Sequence, residues 1–320
     1  MANEYHKIPN FFKEALKRRQ GIDSTAYRMF NGIGDGLAGV TLDKFNKHYV
    51  LQIFDKELEK RAEYIGIKFL SCIDAEYFVI KLRCSSNGLV LQETPTIILK
   101  DANLCSETTV VENGLNFFVD CNDAVNNGLF LDMRDNRKKL TAGLLEGNSM
   151  LNCFSYTCSF GVYAASKGCR TVNVDVSNKI LDWGRKNYEL NNLVADEGSF
   201  VQSDVLTYLD KAIEDNLKFS SIVLDPPSFS RNKKGHFSAK DSFSELIYKS
   251  LQILEANGTI LVSSNNSSLS HAFFHSSLID AAKLAGRNML AFNKIVQGKD
   301  FAGSGKARES SLHGLLAWMD

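Results

Sequence analysis

From Leu129 onward, short β-like runs alternate with helical stretches, and this alternation limits what the chain can fold into. The first unit is a helix whose face carries Leu131, Arg134 and Lys138, leading to a strand at 149–154. Helices expected near 160–167, 177–191, 205–216, 241–255 and 271–285 are interleaved with strands at 170–175, 199–204, 221–225 and 259–264. Two final strands are expected near 289–296 and 311–318. Strands that alternate with helices pair in parallel through βαβ crossovers, which predicts a doubly wound α/β sheet. In such sheets ligands bind at the carboxyl ends of the strands.

Before residue 100 the texture differs. Ile8, Phe11, Phe12, Ala15 and Leu16 form one helical stripe, with Lys13, Lys17 and Arg18 off it. AYRMF, VTLDKF, HYVLQIF and EYFVIKLR read as strands, with a helical stretch from about Lys56 to Leu70 before the last. Gly32, Gly34 and Gly36 lack the GxGxxG spacing, so NGIGDGLAG reads as a β-turn and not a phosphate loop. The expected organisation is an α+β accessory domain at 1–100, a β-hairpin linker at 101–128 and the α/β domain at 129–320.

Composition removes several classes of function. The 37 basic and 37 acidic residues cancel, so no global polycation advertises nucleic acid. No apolar run approaches the ~18 residues of a membrane span, and the start MANEYHKIPN lacks a signal-peptide core, which points to the cytoplasm. The 7 cysteines form no CxxC pair, arguing against a disulfide framework or a zinc site. Basic clusters at Lys13 to Arg19, Arg134 to Lys139, Arg231 to Lys234 and Lys299 to Arg308 read, each taken alone, as solvated faces.

The α/β domain concentrates carboxylates where a ligand would sit. Its first strand runs into the turn NCFSYTCSFG, from Asn152 to Gly161. About twenty residues on, the second strand ends in Asp175, the distance at which such domains grip a ribose diol. The third strand ends in Asp204 and the fourth in Asp225. A dinucleotide would need glycines for its pyrophosphate, and Gly161 is the turn's single glycine. A cofactor without phosphates, S-adenosylmethionine, suits the pocket, with ribose on Asp175, adenine near Asp204 and the methionine end over the first turn. The alternative is that these aspartates are helix N-caps.

The fourth strand leaves through SIVLDPPSF, where Pro226 and Pro227 are half of the chain's 4 prolines. Paired prolines end a strand and stiffen its exit. A rigid exit carrying Asp225 and Phe229 can clamp a flat, hydrogen-bonding nucleobase, or can simply be a terminator followed by a core phenylalanine.

Taken together, LNCFSYTCSFGVYAA, TVNVDVSNKILDWGRKN, DPPSF and NNGLFLDMRDNRKKL resemble the class I S-adenosylmethionine-dependent methyltransferases of 23S, large-subunit ribosomal RNA. GDGLAGVTLDKF looks like the small N-terminal domain of that group. GTILVSSNN, QGKDF and LHGLLAW are most similar to the guanine-N7 half of the bifunctional K/L enzyme. The resemblance implies a Rossmann-like fold and cofactor contacts from Arg134, Asp175, Asp204, Asp225, Asn152, Ser155, Tyr156 and Thr157, with Phe130 alongside. It also implies ribosomal RNA as partner, free or in the assembling subunit, and needs neither membrane nor metal. Cys158 stands where relatives usually have glycine. No segment resembles the PUA module of many m5C-forming relatives, so RNA capture is expected to rest on the N-terminal unit and on basic loops with Arg231, Lys233, Lys234, Lys306 and Arg308.

The target atom follows from what is missing. Methylating cytosine C5 needs a thiolate on C6, and no cysteine lies beyond Cys169. Guanine N7 offers an in-plane lone pair and needs only orientation and electrostatics. Asp225, Pro226, Asn265 and Asn266 would hold the base edge while Phe229 stacks on its face. Cytosine C5, an exocyclic amine (guanine N2 or adenine N6) and a non-catalytic RNA-binding relative are the alternatives.

Overall fold

The computed structural model describes residues 5–83, 96–102, 105–123, 126–227, 239–266, 269–301 and 312–320. The chain divides into two compact units, Met1–Arg134 with Gln297–Ser310, and Asp135–Val296 with Ser311–Asp320.

In the first unit, helix α1 (Ile8–Arg18) buries Ile8, Phe12 and Ala15, the stripe expected from the sequence, and carries Pro9 in its first turn, where no backbone donor is lost. Strands β1 (Ala26–Asn31), β2 (Val40–Phe45) and β3 (His48–Ile53) follow. The expected single helix is two, α2 (Lys56–Glu59) and α3 (Ala62–Leu70), with Asp55 capping the first through Glu57 N. Strands β4 (Tyr77–Leu82) and β5 (Thr96–Asp101) complete a five-stranded sheet ordered β1-β2-β3-β4-β5. Only the β3–β4 pair is parallel. The core joins Phe12 of α1, Ile65 and Phe69 of α3, and Phe30, Leu42, Leu51, Phe78 and Ile80 of the sheet.

Two features of this unit differ from expectation. Gly32–Asp35 forms a 3₁₀ turn closed by Gly36 at φ 102°, and not a plain β-turn. Its Asp35 is buried and takes a two-toothed ion pair from Arg19, which is buried too. Arg19 therefore leaves the solvated basic face on which it was expected; its guanidinium also donates to the carbonyls of Arg28 and Asp300. Strands β6 (Glu107–Glu112) and β7 (Leu115–Asp120) make a hairpin through Asn113 and Gly114, both at positive φ, the requirement of a two-residue type I′ loop.

The second unit is the doubly wound α/β sheet. After a 3₁₀ turn at Leu131–Met133 comes α4 (Arg134–Thr141), whose first residue belongs to the first unit. Then follow β8 (Ser149–Cys153), α5 (Ser159–Ala165), β9 (Arg170–Asp175), α6 (Asn178–Glu189), β10 (Phe200–Gln202), α7 (Val205–Glu214) and β11 (Phe219–Leu224). The unit ends with α8 (Ala239–Ile253), β12 (Leu254–Ser264), α9 (His271–Leu284), β13 (Met289–Lys294) and β14 (His313–Met319). The strand order is β10-β9-β8-β11-β12-β14-β13. The first five strands of that order pair in parallel, as the alternation required, and β14 inserts antiparallel to both neighbours.

Strand residues alternate between the two faces of this sheet. Leu151, Cys153, Ile222, Leu224, Ile260 and Val262 pack with Leu209, Ile247, Leu251, Phe274 and Leu278 of α7, α8 and α9. Full burial of each such side chain contributes about 1.5–3 kcal/mol. The intervening Asn152, Thr171 and Asn173 meet Tyr188 of α6 in a buried polar network. The strand order reverses between β8 and β11, the position at which open α/β sheets bind ligands.

Candidate active site

Backbone register sets the site. Gln202 pairs with Asp175, Val174 with Cys153, Cys153 with Leu224, and Leu224 with Val262. The carboxyl ends of five strands are therefore level, and Asp175, the turn after Cys153, Asp225 and Ser263 share one edge.

The turn itself is unusual. Phe154, Tyr156 and Cys158 have φ of 55°, 49° and 62°, the left-handed region, although none is glycine. Each such residue costs roughly 1–2 kcal/mol, so the turn needs support from its surroundings. Ser155 N donates to Val174 O at 3.0 Å, Tyr156 N to Asp175 Oδ2 at 3.0 Å, and Asn187 Nδ2 to Thr157 O at 2.9 Å. Gly161 lets α5 approach β9, because a Cβ there would overlap Asn173 and the Tyr188 hydroxyl. Asn152, expected to touch the cofactor, is 2% exposed and donates to Asn173 Oδ1 at 2.9 Å.

The three aspartates have different settings. Asp175 also accepts Ser177 N on Oδ1 at 3.0 Å, but the N-cap of α6 is Ser177, whose hydroxyl takes Ile180 N. A carboxylate oxygen has about two acceptor directions, so each oxygen of Asp175 retains capacity for a hydroxyl. Two such free acceptor directions on one carboxylate are what a vicinal diol can use. Asp204 is exposed and caps α7, accepting Thr207 N at 3.2 Å. Asp225 accepts the Ser263 hydroxyl at 2.7 Å, and Pro226 beside it is buried. Asn265 is exposed and Asn266 half-buried, just beyond Ser263 on the same strand end.

Phe130 and Arg134 fall in the first unit. Arg134 is buried and makes a two-toothed ion pair with Asp300, at 3.1 and 2.7 Å. Asp300 also accepts Arg28 N at 3.1 Å, and the Arg28 guanidinium lies 4.6 Å from the centroid of the Phe301 ring. Arg137 is fully buried within the second unit, against Ser159, Phe160 and Tyr163. The run Arg134 to Lys139 thus keeps only Lys138 and Lys139 as a solvated face. Phe229, Arg231, Lys233, Lys234, Lys306 and Arg308 lie outside the described residues. Sequence reasoning missed Asn173, Gly184, Asn187 and the role of Asp300; QGKDF marked the last without naming its partner.

The two thiols at the end of β8 and in its turn, Cys153 and Cys158, are unsuited to nucleophilic work. Burial pushes Cys158 up to about 12, with Ser155 opposing, and pushes Cys153 higher still. Among the described residues no group of three or more His, Cys, Asp and Glu could hold a metal ion, and no helix is long and apolar enough to cross a membrane.

Residues 98–297 match the family model of S-adenosylmethionine-dependent methyltransferases. The chain belongs to this family. The methyltransferase is 34% identical over 291 residues to ribosomal RNA large subunit methyltransferase I of Klebsiella pneumoniae, covering 89% of this chain and 71% of that protein. The protein of the same name from Pseudoalteromonas translucida is 33% identical over 322 residues, covering 96% and 80%. Among solved structures, a methyltransferase complexed with SAH superposes with a TM-score of 0.86 at 26% identity, over 98% of this chain and 81% of that one. The tRNA m1G37 methyltransferase of Methanocaldococcus jannaschii shares the fold alone, at 17% identity and a TM-score of 0.58, over 98% and 78%. The methyltransferase is therefore an enzyme that uses S-adenosylmethionine, on a Rossmann-like sheet with a small α+β unit.

Proposed function

We propose that this methyltransferase modifies large-subunit ribosomal RNA in the cytoplasm, at guanine N7, by direct transfer. The RNA substrate is carried over from relatives named as large-subunit ribosomal RNA methyltransferases. The observation that carries the choice of atom is the bond from Ser263 to Asp225 at 2.7 Å. It occupies the strand-end region where a covalent cytosine mechanism would need its thiolate, and the sequence has no cysteine after Cys169.

S-adenosylmethionine, when bound, supplies an electrophilic methyl on its sulfonium. Asp175 holds the ribose hydroxyls, Ser155, Tyr156 and Thr157 line the methionine end, and Asp204 meets the adenine, with Asn152 supporting the turn. Asp225, fixed by Ser263 and by the stiff Pro226, orients the guanine edge together with Asn265 and Asn266. Phe229 stacks on the extruded base. Guanine N7 carries no proton to lose, so the residues need to orient and exclude water without acting as a strong base. Residues 1–100 serve as the RNA-binding accessory domain, joined through the hairpin segment 101–128 to the catalytic domain 129–320. Arg231, Lys233, Lys234, Lys306 and Arg308 contact phosphates.

Incubation with methyl-labelled S-adenosylmethionine and ribosomal RNA from a strain lacking the gene tests the substrate. Label should enter large-subunit RNA and not small-subunit RNA. Label in neither, or in both alike, would contradict the reading. Stacking on a base contributes about 1–3 kcal/mol, so Phe229→Ala should lower turnover roughly 5- to 150-fold. SAH affinity should change less than about threefold in that variant, because the cofactor contacts remain.

A further inference from the structure

Helix α6 lies along the strained cofactor turn and touches it repeatedly. Trp183 meets Tyr156, with ring centroids 6.4 Å apart. Asn187, fully buried, donates to the carbonyl of Thr157 at 2.9 Å. Between these two contacts stands Gly184. A Cβ on Gly184 would fall on Cys158 Sγ and within 3.0 Å of Cys158 Cβ. The thiol therefore fills the space that the missing side chain leaves. It is 0% exposed and lies 3.7 Å from Ser155 Oγ and 3.6 Å from Tyr156 O, both on the same turn.

We propose that Cys158 and Gly184 form a steric lock in which α6 holds the turn Phe154 to Cys158 in its cofactor-binding shape. Cys158 is then a positioning residue and not a nucleophile. A left-handed residue at the N-cap of α5 is most easily a glycine, and φ 62° at Cys158 carries a strain that glycine would not. What the cysteine adds is a side chain that α6 can grip, and the grip exists only because position 184 has no Cβ. The high thiol pKa fits this role, since a thiol that stays protonated packs as a small apolar group. The inference rests on the reading that this turn binds S-adenosylmethionine.

The lock predicts a specific compensation. Gly184→Ala forces α6 and the turn apart, and should weaken SAH binding, measured by calorimetry, at least tenfold. It should raise the KM for S-adenosylmethionine by a similar factor while kcat falls less than threefold. Adding Cys158→Gly removes both the Sγ and the Cβ that the new methyl meets, so the double variant should bind SAH within about threefold of the parent. If Gly184→Ala does not fold, recovery of a cooperative thermal transition in the double variant reads the same compensation. Unchanged affinity in a folded Gly184→Ala, or a double variant as impaired as the single, would overturn the lock. Asp175→Ala is the control for the site: if it leaves SAH affinity intact, the cofactor reading of the turn fails. In that case a melting temperature lowered by Gly184→Ala and restored by Cys158→Gly would still report the lock itself.

Discussion

Asp175 accepts the backbone amide of Tyr156 on Oδ2 at 3.0 Å, binding the end of β9 to the turn that follows β8. Its other oxygen takes Ser177 N at the same distance, so one carboxylate fixes the entry to α6 and the shape of the turn after β8 together. Asp175→Ala should therefore lose both the proposed ribose acceptor and the turn's anchor. Hydrogen bonds to charged groups contribute about 1.5–3 kcal/mol each, which predicts a loss of SAH affinity of tenfold or more by calorimetry. Asp175→Asn, which keeps one acceptor oxygen, should fall between this variant and the parent.

Arg134 and Asp300 are 166 positions apart in sequence and form a buried, two-toothed ion pair within the first unit. Removing one partner strands the other charge away from water, which costs about 3–5 kcal/mol. Asp300→Ala should lower the midpoint of urea unfolding by a correspondingly large step. In the Asp300→Ala background, Arg134→Met should cost less than it does alone, since the Asp300 carboxylate is no longer there to be orphaned.

Lys81 is fully buried and donates to Asp123 O at 2.6 Å and to Asn127 Oδ1, holding the segment that leads to Phe130. Burial is the main cause that lowers its pKa to about 8. In the unfolded chain a lysine titrates near ~10.4, so between these values the unfolded state binds the extra proton and stability rises with pH. The contribution is full above about pH 10.4 and is lost as pH falls through about 8. Urea unfolding at several pH values should show this rising term in the parent and not in Lys81→Met. An identical pH slope in the two proteins would contradict it.

The βαβ alternation was legible because strands covered on both faces read as apolar runs between amphipathic helices. The stripe of α1 was legible for the same reason. Asp175, Asp225 and the turn after β8 were found through strand ends, since register brings successive strand ends to one edge. Arg19 and Arg137 were not legible as buried residues, because a charge is buried only where distant partners such as Asp35 or Ser159 receive it. Gly184 lies inside the helix expected near 177–191 and carries no local signal of its own. Its meaning comes from Cys158 across a helix packing contact, which no local pattern carries. The insertion of β14 between β12 and β13 is likewise a long-range pairing, invisible in the alternation that placed both final strands.

Direct transfer to guanine N7, with Asp225 held by Ser263, is the chemistry we propose for this site. The measurement that bears on it most directly is nucleoside mass spectrometry of large-subunit ribosomal RNA methylated by the purified enzyme. Direct transfer to N7 yields 7-methylguanosine as the new nucleoside; 5-methylcytidine, or a guanine or adenine methylated on its exocyclic amine, would rule it out.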